Sequence, residues 1–326
     1  MKINLQDIAY GRVRAPDLDL AEKFLLDFGM LRAQRTDTAL YMRGYGTGHH
    51  LHVTELGSPG VASLAFSVES REDLERATHI PGASAIEDIN EPGGGQRVRL
   101  TEFNGICIEM VSDVERVNPT AFQMRVMNTI AAPNNRMNDT TVMPRNPAHV
   151  HRIGHAVIGT PDIEDTTRWF TEHLGMLISD TVYEGQKDNV LGNFLRIDKG
   201  ATPVDHHTVL IARAPTAGLH HLSFEVSDID DVMIGHEFLN NAGYTHLWGV
   251  SRHVQGGQIA DYWVDPFGVM FEHWTDSDRI DAHHPHRYLT DEESEGPWGQ
   301  IVTPKFKYHR LTPQVPWTPA GLKGRA

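Results

Sequence analysis

The chain has almost no cysteine and no strongly basic segment. Its 326 residues include one cysteine, Cys107, so an intrachain disulfide is excluded and a reducing compartment fits. Acidic residues outnumber basic ones by 43 to 29, which gives a formal net charge of -14. This balance argues against nucleic acid or an anionic membrane as a partner, and we expect a small-molecule ligand.

Long apolar segments are also absent. The first 30 residues carry charges throughout and lack the apolar centre of a signal peptide, and no later stretch approaches the length of a membrane span. With 40% hydrophobic and 22% charged residues, the composition is typical of a folded chain long enough for two domains. We expect a cytoplasmic protein without a membrane partner.

Three segments in the first part of the chain recur, in the same order, in the second part. GRVRAPDLDLAEKFLLDFGM (11–30) aligns with GHAVIGTPDIEDTTRWFTEHLGM (154–176), GVASLAFSV (60–68) with GLHHLSFEV (218–226), and FNGICIEMV (103–111) with PFGVMFEHW (266–274). Each copy predicts a strand, a helix capped by the Asp of a Pro-Asp pair, and several further strands, which is a βαβββ module. The sequence therefore predicts an α+β fold of tandem βαβββ modules, with two modules per domain and two domains.

The repeat sets the expected domain boundaries. A metal-free N-terminal domain is predicted over 1–115 and a catalytic C-terminal domain over 151–276. The connector at 116–150 is rich in Asn, Met and Pro, and the tail at 277–326 is punctuated by Pro and Trp. We expect the tail to pack on the catalytic domain or on a neighbouring subunit.

Alignment of the two copies singles out three residues of the second one. It pairs Arg12 with His155, Ser63 with His221, and Glu109 with Glu272. Two neutral imidazoles and one carboxylate on a single face form the ligand set expected of non-haem Fe(II) oxygenases, and this set leaves coordination positions open. We therefore predict a metal site at His155, His221 and Glu272.

Two histidines stand side by side in LHHLSFEV. Because successive strand residues point to opposite faces, only one of His220 and His221 can face the other two ligands, and the alignment selects His221. The segments HHLH (49–52) and HHPH (283–286) lack a carboxylate in register, and we expect both to lie at the solvated surface.

With these motifs, the second copy resembles the catalytic domain of the type I extradiol ring-cleaving dioxygenases of the vicinal oxygen chelate superfamily. That family includes catechol 2,3-dioxygenase, homoprotocatechuate 2,3-dioxygenase and 2,3-dihydroxybiphenyl 1,2-dioxygenase. The resemblance rests on GHAVIGTPD, DHHTVLIA, GLHHLSFEV and RHVQGGQIADYWVDPFGVMFEHW. It extends from Ile8 to Trp274 and includes the inactive first domain of the family.

The resemblance implies roles for further residues. The three predicted ligands would hold Fe(II), with Mn(II) as the alternative. His207, the second histidine of DHHT, would be an acid-base group, and Tyr262 and His253 would hydrogen-bond a bound catecholate, with Trp248 as a candidate for the pocket wall. The implied reaction is extradiol cleavage of a catechol-type ring with O2 to a hydroxymuconic semialdehyde-type product. The implied setting is aromatic compound catabolism by a homo-oligomer.

A second class of function remains open on the same fold. A metal-dependent isomerase, lyase or thiol transferase would use the metal as a Lewis acid without consuming O2. Function resides in the site rather than in the fold, and His207, Tyr262 and His253 favour the dioxygenase. A module that merely binds an aromatic compound is disfavoured, because it would need no ligand set.

Overall fold

Two mixed β-sheets, one from each part of the repeat, form the framework of the chain. The computed structural model describes residues 3–123, 125–140 and 142–319. The first two residues of the predicted first domain, two positions of the connector and the last seven residues of the tail lie outside the described residues. The sheets have eight and ten strands. In the described part of the chain, every helix is too short or too polar to cross a membrane.

The first sheet contains two βαβββ modules side by side. The first module comprises β1 (Leu5–Ala15), α1 (Leu18–Asp27), β2 (Leu31–Arg35), β3 (Ala39–Arg43) and β4 (His52–Leu56). The second comprises β5 (Gly60–Val68), α2 (Arg71–Ala77), β6 (Glu87–Asp88), β7 (Gln96–Thr101) and β8 (Cys107–Ser112). The strand order is β2-β3-β4-β1-β5-β8-β7-β6, with β1 and β5 antiparallel where the modules meet.

The second sheet repeats this plan. The third module comprises β9 (Arg152–Thr160), α3 (Ile163–Leu174), β10 (Leu177–Tyr183), β11 (Val190–Arg196), the short β12 (Val204–Asp205) and β13 (Val209–Arg213). The fourth comprises β14 (Gly218–Glu225), α4 (Ile229–Asn241), β15 (Thr245–Arg252), β16 (Ile259–Val264) and β17 (Met270–Thr275). Strands β9 and β14 meet antiparallel, as β1 and β5 do. The predicted fold of tandem βαβββ modules is confirmed.

The C-terminal segment adds short elements to the second sheet and then contacts the first domain. It contributes β18 (Arg279–Ile280), β19 (Arg287–Thr290), β20 (Trp298–Gly299) and α5 (Pro304–Lys307). Strand β19 extends the second sheet beside β10, and β20 extends it beside β15. The chain then crosses to the first domain, where Gln314 bridges to Val61.

The helix starts differ between the two copies. Asp17 caps α1 as predicted, because its side chain accepts from the backbone N–H groups of Asp19 and Leu20 at 2.9 and 3.0 Å. The same prediction is wrong for Asp162, whose side chain makes no capping bond at α3. There the Thr160 hydroxyl accepts from the Asp162 backbone N–H at 3.0 Å.

The two domains share one apolar core. Phe24 and Phe28 of α1 pack against Phe271 of β17, with ring centroids 5.2 and 5.5 Å apart, and His273 Nε2 donates to the Phe28 carbonyl at 2.7 Å. Residues that face α1 alternate along β17 with residues that face the other side. The second sheet therefore buries one face against the first domain and keeps the opposite face for Glu272.

The first sheet buries a self-neutralising cluster of charges. Arg97 Nη1 lies 3.2 Å from Glu109 Oε2 and 2.9 Å from Glu91 Oε1. Arg12 Nη2 lies 2.7 Å from Glu91 Oε2, and Arg12 Nη1 lies 2.9 Å from Glu55 Oε1. These two buried guanidinium groups, together with Arg14, whose Nε lies 3.4 Å from Glu55 Oε2, balance the charge of the three carboxylates.

Sheet register assigns Tyr10, not Arg12, to the place of His155. Corresponding residues pair along each sheet as Tyr10–Ala65–Glu109 and His155–Ser223–Glu272. The alignment anchored on the two glycines is therefore wrong by two residues at this strand. Tyr10 Oη donates to Glu109 Oε2 at 3.0 Å, and Ser63 Oγ donates to Glu109 Oε1 at 2.5 Å. The first domain thus places two hydroxyls on its central carboxylate.

Trp317 covers this cluster from the tail. The centroid of its ring lies 4.6 Å from the guanidinium carbon of Arg12 and 4.9 Å from that of Arg97, a cation–π arrangement. The indole Nε1 donates to Glu55 Oε1 at 2.8 Å. The tail therefore contacts both domains.

The expected surface position of HHLH is wrong. His49, His50 and His52 are all buried, because the segment lies against the first sheet, with the His50 ring 4.7 Å from that of Tyr10. In HHPH, by contrast, His283 and His286 are exposed.

Replacing Glu109 by Gln should weaken the first domain without emptying the metal site. The change leaves Arg97 and Arg12 short of one buried negative charge, which costs about 3 kcal/mol of unfolding free energy by the usual scale for a broken buried pair. Urea unfolding monitored by circular dichroism measures the loss, and elemental analysis should find unchanged metal content. A variant that folds with wild-type metal content but loses enzymatic activity would show that the first domain takes part in catalysis.

Candidate metal centre and active site

Three neighbouring strands bring the predicted ligands together. Ser223 of β14 pairs with His155 of β9 on one side and with Glu272 of β17 on the other. His221 lies two residues before Ser223 on the same strand, so it shares that face of the sheet. The register therefore places two imidazoles and one carboxylate around a single point.

The three side chains form a buried, compact group. His155 Nε2 lies 3.0 Å from Glu272 Oε2, and His221 Nε2 lies 3.1 Å from the same oxygen. One ligand atom from each residue lies within 4.8 Å of the others. Glu272 is 0% exposed, and both histidines are buried.

The polar atoms of this group fit a cation. Both carboxylate oxygens of Glu272 and Nε2 of His221 are buried without a hydrogen-bond partner, although His221 Nε2 lies only 3.1 Å from Glu272 Oε2. A buried charge left in this way is costly unless it is paired or coordinates a metal. Two nitrogens and one carboxylate are suitable donors for Fe(II) or Mn(II).

The local electrostatics shift the pKa values of Glu272 and His221 in opposite senses relative to the effect of burial on each charged form. Burial alone would raise the pKa of Glu272, but His155 and His221 hold it well below its usual value. Burial lowers the pKa of His221, against the opposing effect of Glu272. An ionised carboxylate beside neutral imidazole is the state competent to bind a metal.

The side chains of His220 and His221 lie on the same side of the sheet. Their Nδ1 atoms are 2.7 Å apart, which excludes opposite faces. The expected alternation is wrong here because the β9–β14 register shifts between Leu219 and His221, leaving His220 as the extra residue of a β-bulge. His221 still contacts Glu272, and the ring of His220 packs on Phe306 instead.

His207 lies directly beside the ligand group. Its ring centroid is 4.3 Å from that of His155, and the ring meets Phe194 edge-on at 5.0 Å. Burial, with His155 and His206 adding to it, lowers the His207 pKa well below its usual value. The structure thus holds this imidazole neutral rather than close to its titration point.

A chain of polar groups behind His207 was not predicted. His207 Nδ1 lies 3.2 Å from Nδ1 of His206, and His206 Nε2 lies 3.1 Å from Asp180 Oδ2. Asp180 in turn accepts two hydrogen bonds from Arg287, at 2.6 and 2.7 Å. These contacts orient His207 and leave its Nε2 as the atom directed away from His206. The doubled histidine of DHHT was the only hint of them in the sequence.

Tyr262 and His253 lie together beside His221. Tyr262 pairs with Glu272 across β16 and β17, and its ring centroid is 5.3 Å from that of His221. Tyr262 Oη lies 3.4 Å from His253 Nε2. Burial, reinforced by Glu272, raises the Tyr262 pKa well above its usual value, whereas burial lowers the His253 pKa to about 4. At neutral pH the phenol is therefore a donor and the imidazole an acceptor.

Trp248 supports this pair from one side. Its indole is nearly parallel to both rings, at 12° and 5.0 Å from His253 and at 7° and 5.3 Å from Tyr262. The indole Nε1 donates to the carbonyl of Gln300 in the tail at 2.6 Å. Trp248 thus stacks under the pair of predicted substrate contacts.

The tail supplies a wall residue that the repeat could not reveal. Phe306 of α5 lies 4.7 Å from Tyr262, 4.8 Å from Trp248 and 5.2 Å from His220, measured between ring centroids. Because the tail has no counterpart in the first copy, alignment of the copies carried no signal for this position.

The part of the chain that carries this histidine-carboxylate group matches a known superfamily. Residues 152–273 match the Glyoxalase/Bleomycin resistance protein/Dioxygenase superfamily. Over most of its length the chain resembles the extradiol ring-cleaving dioxygenases of the vicinal oxygen chelate superfamily, as the sequence motifs implied.

Particular relatives share most of the chain. It is 26% identical over 309 residues to Metapyrocatechase 2 of Cupriavidus necator, covering 93% of this chain and 91% of that protein. Homoprotocatechuate 2,3-dioxygenase of Brevibacterium fuscum, solved with 3,4-dihydroxyphenylacetate, superposes with a TM-score of 0.80 at 17% identity, covering 97% and 95% of the two chains. A Mn(II)-bound glyoxalase of Novosphingobium aromaticivorans gives a TM-score of 0.76 at 22% identity, covering 98% and 97%. At these identities the two structural matches establish the fold.

Substitution of the adjacent histidines should separate a ligand from its neighbour. His221→Ala removes one of the two nitrogens beside Glu272, so the purified protein should lose its metal. His220→Ala, the matched control, should keep it, because His220 faces Phe306. Elemental analysis after anaerobic reconstitution checks both. Metal retained in His221→Ala and lost in His220→Ala would reverse the assignment.

Proposed function

We propose that this chain is an Fe(II)-dependent extradiol dioxygenase that cleaves a catechol-type ring with O2 to a hydroxymuconic semialdehyde-type product. The observation that carries the proposal is the combination of the group His155, His221 and Glu272 with His207 on one side and the Tyr262–His253 pair on the other. The relationship to Metapyrocatechase 2 over most of both chains supports it.

The proposed metal ligands are His155, His221 and Glu272. Bound there, Fe(II) would supply open positions for a catechol and O2 and a route for electrons between them. Mn(II) suits the same donor set. Both imidazoles must be neutral to bind, which burial favours at His221.

Tyr262 and His253 are proposed to bind and orient the catechol. Neutral His253 accepts a proton or hydrogen bond at a ring nitrogen, and Tyr262 Oη, which keeps its proton, donates a hydrogen bond to a catecholate oxygen. Trp248 fixes both rings by stacking. The roles of base and donor are thereby divided between two residues.

His207 is proposed to move a proton during ring cleavage. Its Nδ1 faces His206, so Nε2 is the atom available to the reacting groups. Because burial keeps the imidazole neutral, it first takes up a proton and then returns it, as a general base followed by a general acid. The chain through His206 to Asp180 holds the ring for this task.

The wider setting of the proposal is aromatic compound catabolism in the cytoplasm, by a homo-oligomer. One cysteine and a strongly acidic composition support a reducing compartment and a small-molecule substrate.

The second candidate function is that of a metal-dependent isomerase, lyase or thiol transferase that uses no O2. The structural likeness to a Mn(II)-bound glyoxalase supports this second candidate.

Oxygen consumption with simple catechols distinguishes the two candidates. A panel of substituted catechols is first mixed anaerobically with the Fe(II)-loaded protein and then exposed to air. The dioxygenase proposal predicts O2 uptake equal to substrate consumed and a yellow ring-opened product, which appears only in air. Turnover of any panel member under strict anaerobiosis, without O2 uptake in air, would support the second candidate instead.

Replacement of His207 by Phe should slow turnover while leaving binding intact. The variant should retain iron and bind catechol, yet its kcat should fall on the order of a hundredfold or more, the usual scale for loss of a general acid-base group. Tyr262→Phe should lose less, because it removes one hydrogen bond rather than the proton carrier. Steady-state kinetics across the pH range measure both variants. Wild-type kcat throughout for His207→Phe would remove this residue from the reaction.

A further inference from the structure

A second group of two histidines and a carboxylate lies in the same domain. His236 of α4, His246 of β15 and Asp261 of β16 each offer one ligand atom, and the three atoms lie within 4.8 Å of one another. His236 Nδ1 is 3.1 Å from Asp261 Oδ2, and His246 Nε2 is 2.8 Å from Asp261 Oδ1. These spacings match those between Glu272 and its two imidazoles.

This group lies on the opposite face of the sheet from the proposed iron site. Asp261 and Tyr262 are adjacent in β16, and their side chains point to opposite faces. Tyr262 faces His221, whereas Asp261 faces His236 of α4. The group therefore sits between the sheet and α4, apart from the residues assigned to catechol cleavage.

The charge of Asp261 lacks the arginine partner that several other buried carboxylates have. Glu109, Asp180 and Asp205 each form an ion pair with arginine. Asp261 is 0% exposed, and the basic groups it meets are the imidazoles of His236 and His246. Within residues 3–123, 125–140 and 142–319, Glu272 and Asp261 are the two carboxylates that form such pairs with two histidines.

The surroundings of Asp261 suit a metal ligand. Trp263 Nε1 donates to Asp261 Oδ2 at 2.6 Å, the kind of outer hydrogen bond that fixes a ligating carboxylate. The side chains of His236 and His246 are 22% and 23% exposed, so an ion can enter from solvent and keep water as a further ligand. Glu237, next to His236, adds negative charge nearby.

We propose that His236, His246 and Asp261 form a second metal site, which takes a divalent transition-metal ion of the zinc class. Two imidazoles, one carboxylate and a water are a common coordination set for such an ion. The ligands come from α4, β15 and β16, so the ion joins the helix to the two strands that carry Trp248 and Tyr262. Its role is to tie these elements together rather than to bind substrate.

Metal content of the full chain tests this site independently of catechol cleavage. The protein is loaded with Fe(II) without oxygen, equilibrated with Zn²⁺, passed through a desalting column and subjected to elemental analysis. Wild type should retain both iron and zinc. The His236→Ala/His246→Ala double variant should keep iron and lose the zinc, whereas Glu272→Gln should keep zinc and lose the iron.

Two further variants control for removal of an imidazole and for misfolding. His283→Ala removes an exposed histidine outside the group and should retain zinc as wild type does. His246→Ala alone leaves the buried Asp261 and His236 in place, and it should bind zinc more weakly while its circular dichroism spectrum stays unchanged. The Zn²⁺-dependent rise in Tm expected for wild type should disappear in the double variant.

Two results would overturn the proposal. Wild type that retains no zinc beyond the site of Glu272 would show that the cluster is held by hydrogen bonds and a shared proton alone. A folded double variant that retains as much zinc as wild type would place the zinc elsewhere. Because Glu272→Gln is assayed in parallel, failure of the second site is distinguishable from failure of the proposed iron site.

Discussion

The burial of Glu272 is the constraint on which the second domain depends. Its carboxylate is ionised, completely enclosed and without a hydrogen bond to either oxygen. Such a group is stable only beside a compensating positive charge. Two imidazoles converge on it from neighbouring strands, and a bound divalent cation would complete the compensation. The register of β9, β14 and β17 fixes this meeting point, and Tyr262 and His207 take their positions around it.

The first domain buries a carboxylate at the corresponding position beside different partners. At the corresponding position, Glu109 accepts hydrogen bonds from Tyr10 and Ser63, and Arg97 lies 3.2 Å away. Hydroxyls and guanidinium groups fill the place of imidazoles, and Trp317 covers the arginines. The same fold thus buries a carboxylate in two ways, beside hydroxyl and guanidinium groups in the first domain and beside two imidazoles in the second.

The sequence predicted the tandem modules because a repeat of hydrophobic and turn patterns directly reports a repeated fold. It also singled out His155, His221 and Glu272, which the structure brings together. It did not predict the position of the His220 side chain, because a β-bulge adds a residue without altering the apparent period of two.

Other errors have equally local causes. Anchoring the alignment on glycines misplaced Arg12 relative to His155, since hydrogen-bond register rather than residue type fixes which positions correspond. The chain from His206 through Asp180 to Arg287 joins segments far apart in sequence, and Phe306 comes from a tail without a repeat partner. Neither could emerge from comparing the two copies. The burial of HHLH does not follow from the sequence, because the lack of a carboxylate in register argues against a metal site without showing whether the histidines are exposed.

The most direct test of the account is the fate of isotopically labelled O2. The Fe(II)-loaded protein is given a catechol under labelled O2, the ring-opened product is trapped, and its mass is measured by mass spectrometry. Both atoms of one O2 molecule should enter the product of the wild type, and Glu272→Gln should yield none of it. A wild-type product without label would contradict the account, because the metal would then be acting without oxygen.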